Sequence, residues 1–80
     1  MRLDKFLKVS RVIKRRPVAN EACDNGRVSI NGKIAKASTD VKVGDIIEIK
    51  FGDKIVKFEV LELSEVATKQ NAENMVKLLD

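Results

Sequence analysis

The spacing of apolar positions changes period twice along this chain. Leu3, Phe6, Leu7 and Ser10 follow the i, i+3, i+4, i+7 rule that gathers them on one helix face, with Lys5, Lys8 and Arg11 turned largely the other way. Asp4 falls in the first turn, where a carboxylate suits the positive end of a helix, and it stands four residues before Lys8, the spacing of a weak ion pair. Proline is tolerated in a first helical turn and disfavours helix in the residue before it. Lys14-Arg15-Arg16-Pro17 therefore predicts a second helix starting at Pro17 and running through Val18, Ala19, Ala22 and Cys23. Asn25-Gly26 stops it, with Gly26 free to take a left-handed cap.

From Val28 the period becomes two. Val28–Ala35 surrounds Asn31-Gly32, a strong hairpin signal because both turn residues need positive φ. Val43-Gly44-Asp45 reads as a turn. Ile47, Ile49 and Phe51 alternate with Glu48 and Lys50, Gly52-Asp53 turns the chain, and Val56, Phe58 and Val60 alternate with Lys57 and Glu59. Leu61 and Leu63 break this phase, which predicts a bulge or a strand end. From about Thr68 helical spacing returns, with Ala72, Met75, Val76 and Leu79 along one face. The expected fold is α+β: two N-terminal helices on a small, mostly antiparallel twisted sheet, with a short C-terminal helix closing one side. Leu3, Phe6, Leu7, Ile30, Ile47, Ile49, Phe58 and Val60 are the core candidates.

Eighty residues make one domain, and a chain so short buries only about 60% of its unfolded surface. The first ten residues are charged and helical in pattern, without the apolar run of a signal peptide or a membrane span, so a cytoplasmic location without membrane contact is expected. A single cysteine, Cys23, suits a reducing compartment; lying among alanines on a packed helix, it reads as a small core residue. With no His, no metal-ligand cluster, no glycine-rich phosphate loop and no activated nucleophile, neither catalysis nor a cofactor is expected.

Charge is what points to a partner. Residues 1–36 hold ten Lys and Arg against three Asp and Glu, a net +7, while residues 37–80 carry −3. So uneven a division implies a face that meets a polyanion. Three phenylalanines and no other aromatics argue against single-strand stacking and favour folded RNA recognised by shape and phosphate.

The run Arg2-Leu3-Asp4-Lys5-Phe6-Leu7, then Arg15-Arg16, Ala19 and Ala22, Asn25-Gly26-Arg27-Val28-Ser29-Ile30-Asn31-Gly32 and Val43-Gly44-Asp45, resembles the S-four RNA-binding domain family, the alpha-L motif. The match covers about residues 1–50. Residues 1–80 are thus expected to form one such domain, with 51–80 as a strand and C-terminal helix extension. Met1 to Arg11, Ile13-Lys14-Arg15-Arg16 and Asn71-Ala72-Glu73-Asn74-Met75 are similar to the small S-four factors of bacterial ribosome-associated quality control and, less closely, to the fifteen-kilodalton heat-shock branch. Relatives often have a proline after the hairpin, where this chain has Lys36-Ala37-Ser38-Thr39, a difference that bears on loop stiffness.

The resemblance implies binding to large-subunit ribosomal RNA and peptidyl-tRNA on a free large ribosomal subunit, beside a quality-control elongation factor, in support of C-terminal alanine tailing. A monomer is expected. Arg2 and Arg16 match the family's RNA-contacting positions, and each offers a planar fork for a phosphate. Arg15, Lys8, Lys5, Lys14 and Arg11 are secondary candidates, since one helix cannot aim them all one way. Arg27 and Lys36 flank the hairpin and could extend the footprint. Asp4 admits three readings: a buttress for a neighbouring arginine, a direct hydrogen bond to base or ribose, or simple helix-end stabilisation. The alternatives are a generic S-four module for ribosome assembly or tRNA, a helix-turn-helix DNA-binding protein, and a protein-interaction module using the C-terminal helix and the acidic 59–65 stretch. Pro17–Asp24 is short and poor in base-reading side chains, which counts against DNA.

Overall fold

The computed structural model describes residues 1–65 and 69–79. Helix α1 spans Leu3–Val9 and α2 spans Arg16–Asp24. Among the described residues five strands follow, interrupted by one helix: β1 Val28–Ile30, β2 Lys33–Ile34, β3 Ile46–Phe51, β4 Lys54–Val60, then α3 Lys69–Met75 and β5 Val76–Leu79. The sheet order is β2-β1-β3-β4-β5, antiparallel throughout. This is the α+β arrangement that the change of period predicts.

One face of the sheet carries Val28, Ile47, Ile49, Phe58 and Val60, all fully buried, and they share a single core with Leu3, Phe6 and Leu7 of α1, Ala19 and Cys23 of α2, and Met75 of α3. Register keeps this face intact, since Ile47 sits opposite Phe58 and Ile49 opposite Val56. The other face pairs Glu48 with Lys57 and Glu59 with Lys77, opposite charges across strands. Each large apolar side chain taken from water in the core contributes about 1.5–3 kcal/mol, so these few residues carry most of the driving force in so small a chain. Ile30 and Phe51 are the last residues of their strands; Ile30 is only partly buried and Phe51 is exposed.

The turns follow their glycines. Gly26 (φ 71°) ends α2 while the N–H groups of Gly26 and Arg27 donate to the carbonyls of Cys23 and Ala22, the paired bonds of a Schellman cap. Asn31 (φ 52°) and Gly32 (φ 84°) are both left-handed, as the hairpin signal requires. β4 ends at Val60, and Leu61 and Leu63 lie exposed beyond it, so their break in phase marks a strand end.

Three expectations need correction. α2 begins at Arg16 rather than Pro17, with Pro17 inside its first turn and Arg15 as the cap residue. Asp4 does not pair with Lys8; its carboxylate is taken by groups on α2 and by Arg2. The C-terminal helix stops at Met75, and Val76 and Leu79 belong to a strand instead of its apolar face. The physical reason is the bare flank of β4: pairing Val60 with Val76 and Phe58 with Leu78 satisfies backbone groups that a longer helix would leave open. Thr68, where the helix was expected to begin, lies outside the described residues.

Candidate nucleic-acid interface

The site is built around the start of α1. Arg2 is the cap residue, extended at φ −66° and ψ 145°, and it forms a lone antiparallel bridge with Asp40. The first N–H groups of a helix lack partners within it. Here Leu3 N–H donates to the Thr39 carbonyl at 2.8 Å and Asp4 N–H to the Ala37 carbonyl at 3.1 Å. The Asp4 side chain accepts the next one, from Lys5 N–H, at 2.8 Å. The loop after the hairpin is thereby fastened to the helix start. The Met1 ammonium fixes it further through Asp40 Oδ1 at 2.7 Å and holds the Asp40 carboxyl below its usual pKa.

Asp4 is the centre of the arrangement. Its side chain is 3% exposed, and burying a carboxylate is tolerable only when it is well paired. Arg2 donates to it with both Nε (3.2 Å to Oδ1) and Nη2 (3.4 Å to Oδ2), Arg16 donates Nε to Oδ2 at 3.4 Å, and Asn20 donates Nδ2 to Oδ2 at 3.3 Å. Burial pushes the Asp4 carboxyl up; the hydrogen bonds from Asn20, the Lys5 N–H, Arg16 and Arg2 outweigh it, and the net pKa lies below the ordinary value. The carboxylate therefore stays ionised and holds two guanidinium groups side by side, each on a side chain about half exposed, at 53% and 45%. Asp4, Arg16, Pro17 and Asn20 line an open depression of about 420 Å³. Of the three readings of Asp4, the geometry is that of a buttress which also caps its helix.

The remaining candidates lie around this centre at varying remove. Lys36 is exposed at the start of the fastened loop, where its N–H donates to Thr39 Oγ1 at 2.9 Å. Lys5 reaches Glu65 Oε1 at 3.3 Å. Lys8, Arg11, Lys14 and Arg15 are exposed along the end of α1 and the turn into α2, with Arg11 left-handed at φ 60°. Arg27 is exposed beyond the far end of α2, where its carbonyl accepts the Lys50 N–H, so it stands apart from Arg16. Hydrogen bonds thus bring together Arg2, Asp4 and Arg16, backbone pairing brings Lys36 near, and Arg27 is not among them. Asn20 was not among the sequence candidates. Its signal is the i+4 spacing from Arg16, which puts both on the face of α2 turned to Asp4.

Cys23 is 2% exposed, and burial first, then the Asp4 and Asp24 charges, push its thiol up to about 11, so it is a neutral core residue. Among the described residues no helix is long and apolar enough to cross a membrane.

The S4 domain family matches residues 1–47, the part that holds α1, α2 and the first hairpin. The chain is 57% identical over 79 residues to the RQC P-site tRNA stabilizing factor of Bacillus subtilis, covering 99% of this chain and 92% of that protein. Among solved structures, the trimeric heat shock protein 15 of Vibrio cholerae superposes with a TM-score of 0.90 at 28% identity, over 99% of this chain and 81% of that one. The solution structure of hypothetical protein HP1423 gives 0.85 at 32% identity, over 100% and 98%. With the family match, the sequence identity and the fold in agreement, this chain belongs to the S4 domain family, nearer to the tRNA stabilizing factors than to heat shock protein 15.

Proposed function

We propose that this chain is a non-catalytic RNA-binding factor of ribosome-associated quality control, one that steadies tRNA on the large ribosomal subunit. The observation that carries the reading is the Arg2–Asp4–Arg16 cluster. Two guanidinium groups are tied to one buried carboxylate and half exposed, on a segment whose net charge is +7. Oriented arginine forks suit phosphate oxygens, which supply most of the affinity in nucleic-acid binding. The name of the Bacillus subtilis relative, a P-site tRNA stabilizing factor, supports tRNA as a ligand.

In this reading Arg2 and Arg16 grip RNA and Asp4 orients them. Lys5, Lys8, Arg11, Lys14 and Arg15 extend the positive field along α1 and the following turn, and Lys36 adds to it from the loop. Arg27 meets a separate stretch of RNA at the far end of α2. The RNA is large-subunit ribosomal RNA together with peptidyl-tRNA, on a large subunit without its small partner. Holding both at once makes the second contact intramolecular and strengthens the whole. Holding the tRNA there supports C-terminal alanine addition to the stalled chain by a quality-control elongation factor, in the bacterial cytoplasm. Residues 1–80 act as one domain, with the RNA face in 1–50 and residues 51–80 as an extension. The protein acts as a monomer, which sedimentation in solution checks directly, since the Vibrio cholerae relative is trimeric.

The test is co-pelleting with purified large subunits carrying peptidyl-tRNA. Arg2→Ala and Arg16→Ala should each weaken binding about tenfold or more, the loss of one charge-assisted contact. Equal recovery of wild type and both variants would overturn the assignment.

A further inference from the structure

We infer that Asn20 is a specificity residue of this face: its side-chain oxygen accepts a hydrogen bond from a ribose 2′-hydroxyl beside a phosphate held by Arg16, so that the chain distinguishes RNA from other polyanions. This rests on the RNA-binding reading above and deepens it.

The Asn20 amide has one orientation that its partner allows. An ionised carboxylate only accepts hydrogen bonds, so the Asn20 atom that meets Asp4 Oδ2 at 3.3 Å must be the nitrogen. The direction of the Asn20 amide is therefore set by chemistry, and Oδ1 turns away from Asp4. Among the described residues no donor reaches that oxygen, and no buried side-chain nitrogen or oxygen lacks a partner, so Asn20 Oδ1 is open to solvent. Asn20 itself lines the depression with Asp4, Arg16 and Pro17. Asn20 follows Arg16 by one helical turn, so the two side chains are neighbours on α2.

The chemistry of the cluster then divides in two. Arg2 and Arg16 present only donors, which suit phosphate oxygens and position a nucleic acid without reading it. Asn20 Oδ1 is an acceptor held in place next to them. A phosphate backbone has no donor to offer it, whereas a ribose 2′-hydroxyl has one, and that group is what separates RNA from DNA at a given site. Held by Asp4, the amide is set before the ligand arrives.

The experiment uses the full chain and two synthetic hairpins of one sequence, the first with ribose throughout and the second with 2′-fluoro sugars. Fluorine keeps the ribose pucker and the A-form helix but removes the donor. At low salt, wild type should bind the ribose hairpin about three- to tenfold more tightly than the fluorinated one, as expected for one hydrogen bond. Asn20→Ala should bring the ratio close to one. Asn20→Lys should do the same while keeping a donor for Asp4 and adding a charge, so its affinity for both hairpins holds or rises as the preference disappears. Because the readout is a ratio for each protein, a small change in folding cancels. A wild-type ratio near one, or a variant that keeps the wild-type ratio, overturns the role of Asn20. Should Arg16→Ala bind the ribose hairpin as tightly as wild type, the RNA-binding reading of this face fails as well.

Discussion

Asp4 carries two duties that oppose each other electrostatically. Removing it makes the chain more basic, so charge alone predicts tighter RNA binding; losing the anchor of Arg2 and Arg16 predicts weaker binding. Positioning should win, because a fork held in register binds phosphate better than a free one. Asp4→Asn should cost about 1–2 kcal/mol of stability, the loss of charged hydrogen bonds to arginines that remain half solvated. The pH dependence has a definite sign. The Asp4 pKa is lowered on folding, so its contribution is fully present above the unfolded value of about 3.9 and is lost as pH falls through the native value. Urea midpoints of wild type and Asp4→Asn should differ at neutral pH and converge as the pH falls through the lowered native value. The sequence made Asp4 visible as an acid in a basic segment and offered an arginine buttress among its readings, but the Lys8 pair that local spacing suggests does not form. Lys8 is the neighbour by local spacing, whereas Arg16 and Asn20 become neighbours only when two helices pack, and Asn20 went unnoticed for the same reason.

At the level of elements, the turns were legible because left-handed backbone leaves a chemical mark. Asn31-Gly32 and Gly26 announce their geometry, and the structure supplies it. Gly26→Ala isolates that effect. A Cβ there would meet only the Ile34 Cγ2 at 4.0 Å, an ordinary contact, so the loss should be conformational and about 1–2 kcal/mol. Thermal unfolding would show it as a lower midpoint, with RNA binding by the folded protein unchanged. The C-terminal segment was not legible. Four residues, Val76-Lys77-Leu78-Leu79, are too few for periodicity to separate helix from strand, and what decides is the vacant side of β4, a tertiary fact.

Over the whole molecule, the division of charge makes binding to RNA steeply salt-dependent. If about five phosphates are neutralised, the slope of log affinity against log salt should lie near −3.5 to −4.5, and a fourfold rise in salt should cost roughly two to three decades. Each of the Arg2→Ala and Arg16→Ala variants should flatten that slope by about one. A slope near zero for wild type would contradict a phosphate-led interface.

The first two amide protons of α1 are lent to the carbonyls of Thr39 and Ala37. Any molecule that clasps Arg2 and Arg16 together also quiets the fraying of that seam, although it touches neither carbonyl. Deuterium uptake at Leu3 and Asp4 should therefore slow when RNA is added, giving a backbone clock for occupancy that needs no substitution at all.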